Sequence, residues 1–267
     1  SKNYLTDLHI NFIMDIIELA LETSHKSWHK MFKQIKKTCK KDIKKLNTLL
    51  GTFIEAESTN LIVPNIDDIF NVFKMDINKI NTILLAQDPY QNEAKCNNPN
   101  IKSDDPNKTV NLATGYAFSV PKEVKTPSSL RNIYKSIDKS GLFKEFPKHG
   151  NLQSWIEQGV FLMNTALTTI KKKPNAHKKY WKKITTEIIK YINENNPNII
   201  VVLWGGNALE KKPLFDNIKE DNFVISSHPS GLSNRKPLKQ YPAFDDAKTF
   251  EKINQLLGDD KIDWNIY

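Results

Sequence analysis

Cysteine is scarce: only Cys39 and Cys96 occur in 267 residues. Two thiols so far apart cannot supply the dense disulfide framework of a small secreted domain, and neither stands in the paired spacing of a zinc site. The close histidines His25 and His29 lack the Glu that a zincin helix carries, so no metal is expected. Arginine is almost missing too, with Arg131 and Arg235 alone. No apolar run approaches the roughly 18 residues of a membrane span, and the opening Ser1-Lys2-Asn3-Tyr4 lacks the pattern of a signal peptide. We therefore expect an intracellular, reduced protein that is neither secreted nor inserted in a membrane.

What is present favours a packed body. Hydrophobic residues make up 39% and charged residues 26%, far from the composition of a disordered chain. The 39 basic residues exceed the 30 acidic ones by nine, a surplus that favours an anionic partner such as nucleic acid. The chain is also heavy in Lys, Asn and Ile, as an AT-rich genome would make it, so charge alone leaves both explanations open.

Asp7 to Glu22 carries apolar residues at helical spacing and reads as a helix with one strongly apolar face. Ser27 to Leu50 reads as a second helical region whose lysines form a solvated face. Four short continuous apolar runs follow: Thr82 to Ala86, Val160 to Met163, Ile199 to Trp204 and Phe223 to Ser226. Each is too short for a helix and has the look of a strand buried on both faces. Helical stretches at Ser128 to Ser140, Tyr180 to Asn195 and Asn207 to Lys212 separate them. Strand and helix in alternation imply a three-layer α/β/α domain around a central four-stranded parallel sheet. Asn92 to Thr114, polar and rich in Asn, reads as a long inserted loop. The expected division is an N-terminal helical extension over 1–26 and a catalytic domain over 27–267.

In an open parallel sheet the ligand sits beyond the carboxyl ends of the strands. The first run is followed there by Gln87-Asp88-Pro89-Tyr90, the second by Asn164, the third by Gly205-Gly206 and the fourth by Ser227-His228-Pro229-Ser230. Taken singly, Asp88 before Pro89 fits a turn start, Asn164 a turn cap and His228 a structural histidine. Together they bring a carboxylate, an amide and an imidazole to one rim. With no Gly-rich phosphate loop and no serine elbow, that set points to hydrolysis or recognition of a polar planar group.

These motifs resemble those of the family 1 uracil-DNA glycosylases. Gln87-Asp88-Pro89-Tyr90 is similar to that family's water-activating loop, Leu162 to Thr168 to its uracil-reading strand, and His228-Pro229-Ser230-Gly231-Leu232-Ser233 to its DNA-intercalation loop. Weaker echoes run from Asp68-Ile69-Phe70 to Ile262-Asp263-Trp264. The resemblance implies Asp88 and His228 as catalytic residues, with Gln87, Tyr90, Phe118 and Asn164 around a flipped uracil. It implies Ser129, Ser230, Ser233 and Lys236 on the DNA backbone and Leu232 as a wedge in the vacated stack. The implied activity is hydrolysis of the uracil N-glycosidic bond without cofactor, leaving an abasic site in base-excision repair. The implied partners are uracil-containing single- and double-stranded DNA, a uracil-glycosylase inhibitor protein and replication proteins, with the chain a monomer.

The sequence also departs from the family pattern. Ala86 replaces a Gly, Gln91 a His, Gly206 a Ser and Gly231 a Pro, and the 92–114 connection is roughly 17 residues longer than usual. Two other functions remain to be weighed. One is a scaffold that tethers a replication protein to DNA, motivated by the apolar N-terminal segment and the insertion. The other is a mismatch-directed glycosylase acting on thymine or uracil, against which Tyr90 beside Asp88 speaks.

Overall fold

The structure is a computed structural model that describes residues 15–96 and 108–267. The first part of the expected N-terminal helix, up to residue 14, and the 97–107 portion of the insertion lie outside the described residues. In chain order the helices are α1 (Ile16–Thr23), α2 (His29–Thr38), α3 (Lys40–Glu55), α4 (Ser128–Lys139), α5 (Gln153–Ile156), α6 (Lys178–Asn195), α7 (Gly206–Leu209) and α8 (Thr249–Leu257). The strands are β1 (Ile62–Val63), β2 (Thr82–Ala86), β3 (Glu93–Lys95), β4 (Thr109–Asn111), β5 (Val160–Asn164), β6 (Thr169–Ile170), β7 (Ile200–Trp204) and β8 (Phe223–Ser226).

The four apolar runs form one parallel sheet in the order β5-β2-β7-β8. Successive side chains of a strand point to opposite faces, and here both faces are covered. Ile83, Leu85, Phe161, Met163, Val201 and Leu203 join a core with α1, α2, α3 and α6. Leu84, Leu162, Val202 and Trp204 join a second core with α4, α5 and α8. Three layers follow directly, and continuous rather than alternating hydrophobicity is the sequence trace of a sheet without a wet face.

Other elements differ from expectation. The region over Ser27 to Leu50 is two helices, broken at Cys39, whose backbone (φ −111°, ψ 27°) is not helical. The helix after β7 stops at Leu209 and gives way to a 3₁₀ turn at Lys212–Leu214, where Pro213 provides no backbone N–H. The 92–114 insertion is not a plain loop: β3 and β4 pair antiparallel, Ala94 opposite Val110. Three-residue arms with no buried side chain leave no apolar pattern to read. α1, capped by the Asp15 carboxylate on the Ile17 N–H at 2.9 Å, buries Ile16, Ile17 and Ala20 in the same core as α2.

Candidate active site

Parallel pairing sets Ala86 at the end of β2 opposite Asn164 at the end of β5. The two chains stay laced beyond the sheet. Thr165 and Ala166 donate their N–H groups to the carbonyls of Ala86 and Gln87 at 2.9 and 3.0 Å, and the Thr165 hydroxyl donates to the Gln87 carbonyl at 3.2 Å. Asp88 and Asn164 therefore emerge at the same rim from neighbouring strands, Asp88 two residues beyond the Ala86 that pairs with Asn164. Asn164 is 6% exposed.

The Asp88 carboxylate is half-buried and asymmetric. Its Oδ2 accepts the Asn175 N–H at 2.8 Å, while Oδ1 is enclosed with no hydrogen-bond partner. Burial pushes its pKa above the ordinary carboxylate value; the Asn175 N–H, the Thr169 hydroxyl and the charge of Lys178 pull the other way. Gln87 beside it is clamped from both ends, donating Nε2 to Asn175 Oδ1 and accepting at Oε1 from Asn207 Nδ2. Asn175 adopts φ +61°, a left-handed conformation that Asn tolerates better than most residues. Neither Asn175 nor Asn207 was expected from the sequence, where the only trace of the first is a Pro-Asn turn pair at 174–175.

His228 follows β8 and is held locally. Its Nδ1 accepts the N–H of Ser230 at 3.0 Å, which assigns the ring proton to Nε2 in the neutral form. Burial lowers its pKa, so the ring stays neutral at physiological pH. The imidazole packs against the end of β7: a Cβ built on Gly205 would lie 3.1 Å from His228 Cβ, and Gly205 itself has φ +85°. The backbone conformation favours glycine there, and the close approach of His228 adds to that preference. Phe118 lies 6.1 Å from the His228 ring, centroid to centroid, and meets Trp204 edge-on at 5.6 Å. Its neighbour Ala117 donates to the Leu162 carbonyl at 3.0 Å, which fastens Phe118 to β5. The Tyr90 hydroxyl is enclosed without a partner, and burial drives its pKa upward.

The loop after His228 presents Leu232 with 86% of its surface exposed. Its base is rigidly braced. The Ser230 carbonyl accepts from both Ser233 and Asn234 at 2.9 Å, the Ser227 hydroxyl donates to the Ser233 carbonyl at 2.9 Å, and Asn132 of α4 donates to the Pro229 carbonyl at 2.8 Å. Ser129 stands one turn before Asn132, at the start of α4. Gln87, His228, Ser230, Ser233 and Lys236 line one cavity of about 550 Å³ together with Gly205 and Asn207. Asp88, Tyr90, Phe118, Asn164, Ser129 and Leu232 do not line that cavity; the strand register and the ring contacts above connect Asp88, Asn164 and Phe118 to it. Among the described residues no group of three or more His, Cys, Asp or Glu is placed to hold a metal, and no helix is long and apolar enough to cross a membrane.

A family model for the uracil DNA glycosylase superfamily matches residues 80–258. The chain belongs to the uracil-DNA glycosylase superfamily. A uracil-DNA glycosylase of Francisella philomiragia is 39% identical over 218 residues, covering 79% of this chain and 88% of the relative. One from Francisella tularensis subsp. novicida is 38% identical, covering 80% and 90%. Among solved structures, mimivirus uracil-DNA glycosylase superposes with a TM-score of 0.79 at 29% identity, covering 95% of this chain and 90% of its own. A mimivirus variant solved in complex with the inhibitor UGI gives 0.77 at 30% identity, covering 93% and 91%. The superfamily match spans β2 to α8, the segment that carries every strand-end motif described above.

Proposed function

We propose that this protein is a monofunctional uracil-DNA glycosylase that turns uracil out of DNA and hydrolyses its N-glycosidic bond, leaving an abasic site for base-excision repair. The observation that carries the reading is the pairing of a neutral imidazole, its donor fixed on Nε2 by the Ser230 N–H, with a carboxylate whose second oxygen is enclosed and unpartnered.

The chemistry follows from where charge develops. As the bond between C1′ and the base nitrogen stretches, the sugar becomes oxocarbenium-like and uracil leaves as an anion. A donor aimed at the keto oxygen of that anion stabilises it without transferring a proton, which is what His228 Nε2–H offers. Asp88 holds negative charge beneath the sugar and orients the water that attacks C1′. Burial makes that charge costly in the empty site, so the appearance of the sugar cation relieves the cost in the transition state rather than in the ground state. Asn164 pairs with the ring N–H and the adjacent keto oxygen, a pattern cytosine does not match, and Phe118 stacks on the base. Tyr90 closes the position of a 5-methyl group, which disfavours the mismatch-thymine reading. Ser129, Ser230, Ser233 and Lys236 hold backbone phosphates while Leu232 enters the vacated stack.

The substrate is uracil-containing DNA, single- or double-stranded. The mimivirus complex with UGI supports inhibition by the same protein, and the free thiols Cys39 and Cys96 suit a reducing interior. Purified protein treated with a chelator is expected to release free uracil from DNA without cutting the strand. DNA binding with no uracil released overturns the reading and leaves the tethering scaffold in its place.

A further inference from the structure

A groove of about 540 Å³ lies between α3 and the start of α6, lined by Lys41, Lys44, Lys45, Leu49 and Thr52 of α3 and by Tyr180 of α6. The lysines are exposed, whereas Leu49 and Tyr180 are half-buried. Lysines at such spacing ordinarily make a solvated face supported by neighbouring carboxylates. Here that support is missing. Among the described residues none of Lys41, Lys44, Lys45, Lys178, Lys179 or Lys182 forms an ion pair, although Lys36 on the preceding helix pairs with Asp15 and Glu18 and Lys183 pairs with Glu187.

The segment that leads into α6 joins the groove to the catalytic rim. Asn175, whose N–H binds Asp88, precedes α6 by three residues. His177 packs against Phe53 of α3 at 6.2 Å and against Tyr180 at 6.5 Å, ring to ring. Lys179 Nζ stands 5.0 Å from the centre of the Tyr180 ring. On the far side of α6, burial and then the charge of Lys182, with a smaller contribution from Lys178, hold the Lys211 ammonium below the usual lysine value. Positive charge thus recurs from the rim down the α3–α6 side, with no ion pair at the lysines that line the groove among the described residues.

We propose that the α3–α6 groove is an auxiliary track for the single strand that flanks the target nucleotide. The proposal rests on the glycosylase reading and extends its footprint. Two features choose the occupant. Unpaired lysines along the α3 wall match a phosphate backbone, and the half-buried Leu49 and Tyr180 match bases that a duplex would keep stacked inside. A duplex offers the groove phosphates alone and fills it poorly.

The test replaces Lys41, Lys44 and Lys45 together by Glu, with a control that replaces Lys144, Lys252 and Lys261, exposed lysines on the opposite side of the sheet, by Glu. Uracil excision is measured on a strand of about six nucleotides, on single strands of about 30 nucleotides and on duplexes of equal length, across a salt series. Wild type is expected to have a lower KM on the long single strand than on the short one. The groove variant is expected to lose about tenfold in KM on the long single strand with kcat unchanged, and its log–log salt slope falls by about two. The short strand and the duplex change little, and the control retains the long-strand advantage. An unchanged ratio of long to short KM in the groove variant, or an equal loss on duplex and in the control, overturns the track. Absence of excision by wild type on every substrate instead overturns the glycosylase reading.

Discussion

The two groups at the centre of the site are held in opposite ways. His228 takes its orientation from Ser230, two residues along the same loop. Asp88 takes its orientation from Asn175, 87 residues away, and its neighbour Gln87 is clamped by Asn175 and by Asn207, 120 residues away. A contact between near neighbours survives as a motif in the sequence. A contact across the fold does not, because either partner alone looks like an ordinary turn residue. The acid side of the site is therefore the side whose geometry depends on the whole domain, and the imidazole side is nearly self-contained.

The sharpest way to break this comparison is to remove each group in turn. Asp88→Asn keeps an oxygen for the Asn175 N–H but deletes the charge beneath the sugar, and single-turnover uracil release is expected to fall by about 10³-fold or more. His228→Leu deletes the donor to the leaving uracil and is expected to cost about 10²- to 10³-fold. DNA affinity is expected to stay near the wild-type value in both. Near-normal turnover in both variants refutes the assigned roles.

The pH profile separates the two groups without mutation. In the proposed mechanism Asp88 acts ionised, and burial raises its pKa, so the acid limb of kcat/KM is expected above the ordinary value of 3.8. That limb disappears in Asp88→Asn. Burial lowers the pKa of His228, so no limb is expected at 6.5 or above. Stability carries its own sign. For a histidine with a depressed folded pKa, the unfolded chain binds more protons between that value and 6.5, so stability falls as pH drops through this window. His177, buried and held at about 4, adds to the same loss. A Tm that rises on acidification from pH 6.5 to pH 5 contradicts this.

Much of the fold was legible, for physical reasons. A strand covered on both faces must be apolar throughout, so β2 and β8 emerge from the sequence with the bounds read there and β5 and β7 within one residue. Their ends then locate the rim. The pairing of β1 with β6, two residues each, left no periodic trace, and neither did the hairpin of β3 and β4. The break at Cys39 was hidden because the lysine spacing continues across it. In the site, the motif residues were visible because they stand directly at the ends of the four apolar strands, and His228 is held within its own loop. Asn175 and Asn207 were not, since their function is created by the approach of distant segments.

Asn175→Gly tests the long-range side directly. Glycine accepts φ +61° and keeps the N–H that binds Asp88, but it loses the oxygen that clamps Gln87. Because Asn175 is exposed, little change in Tm is expected. A fall in kcat of about tenfold, roughly 1.4 kcal/mol, is expected from a loosened rim, with KM less affected. An unchanged kcat would show that the backbone N–H alone positions the acid side.

The smallest effect is expected on the self-contained side, at Gly231. A Cβ built there meets nothing within 4 Å, and its φ is not in the left-handed region, so no contact in the loop requires glycine. The loop is braced at its base by Ser227, Ser230 and Asn132, but its tip, which carries Leu232, contains the most permissive residue of all. Replacing Gly231 by Pro removes conformations from the free chain and from the unbound tip while leaving the braced turn in place. Such substitutions stabilise by about 0.4–1 kcal/mol where the backbone is compatible, which corresponds to about two- to fivefold in an equilibrium. If the tip must order before Leu232 can enter the stack, the gain is expected in KM on duplex DNA and not on a single strand, where no stack has to be opened. An equal gain on both substrates would assign the effect to general stability and leave the wedge no better preorganised than before.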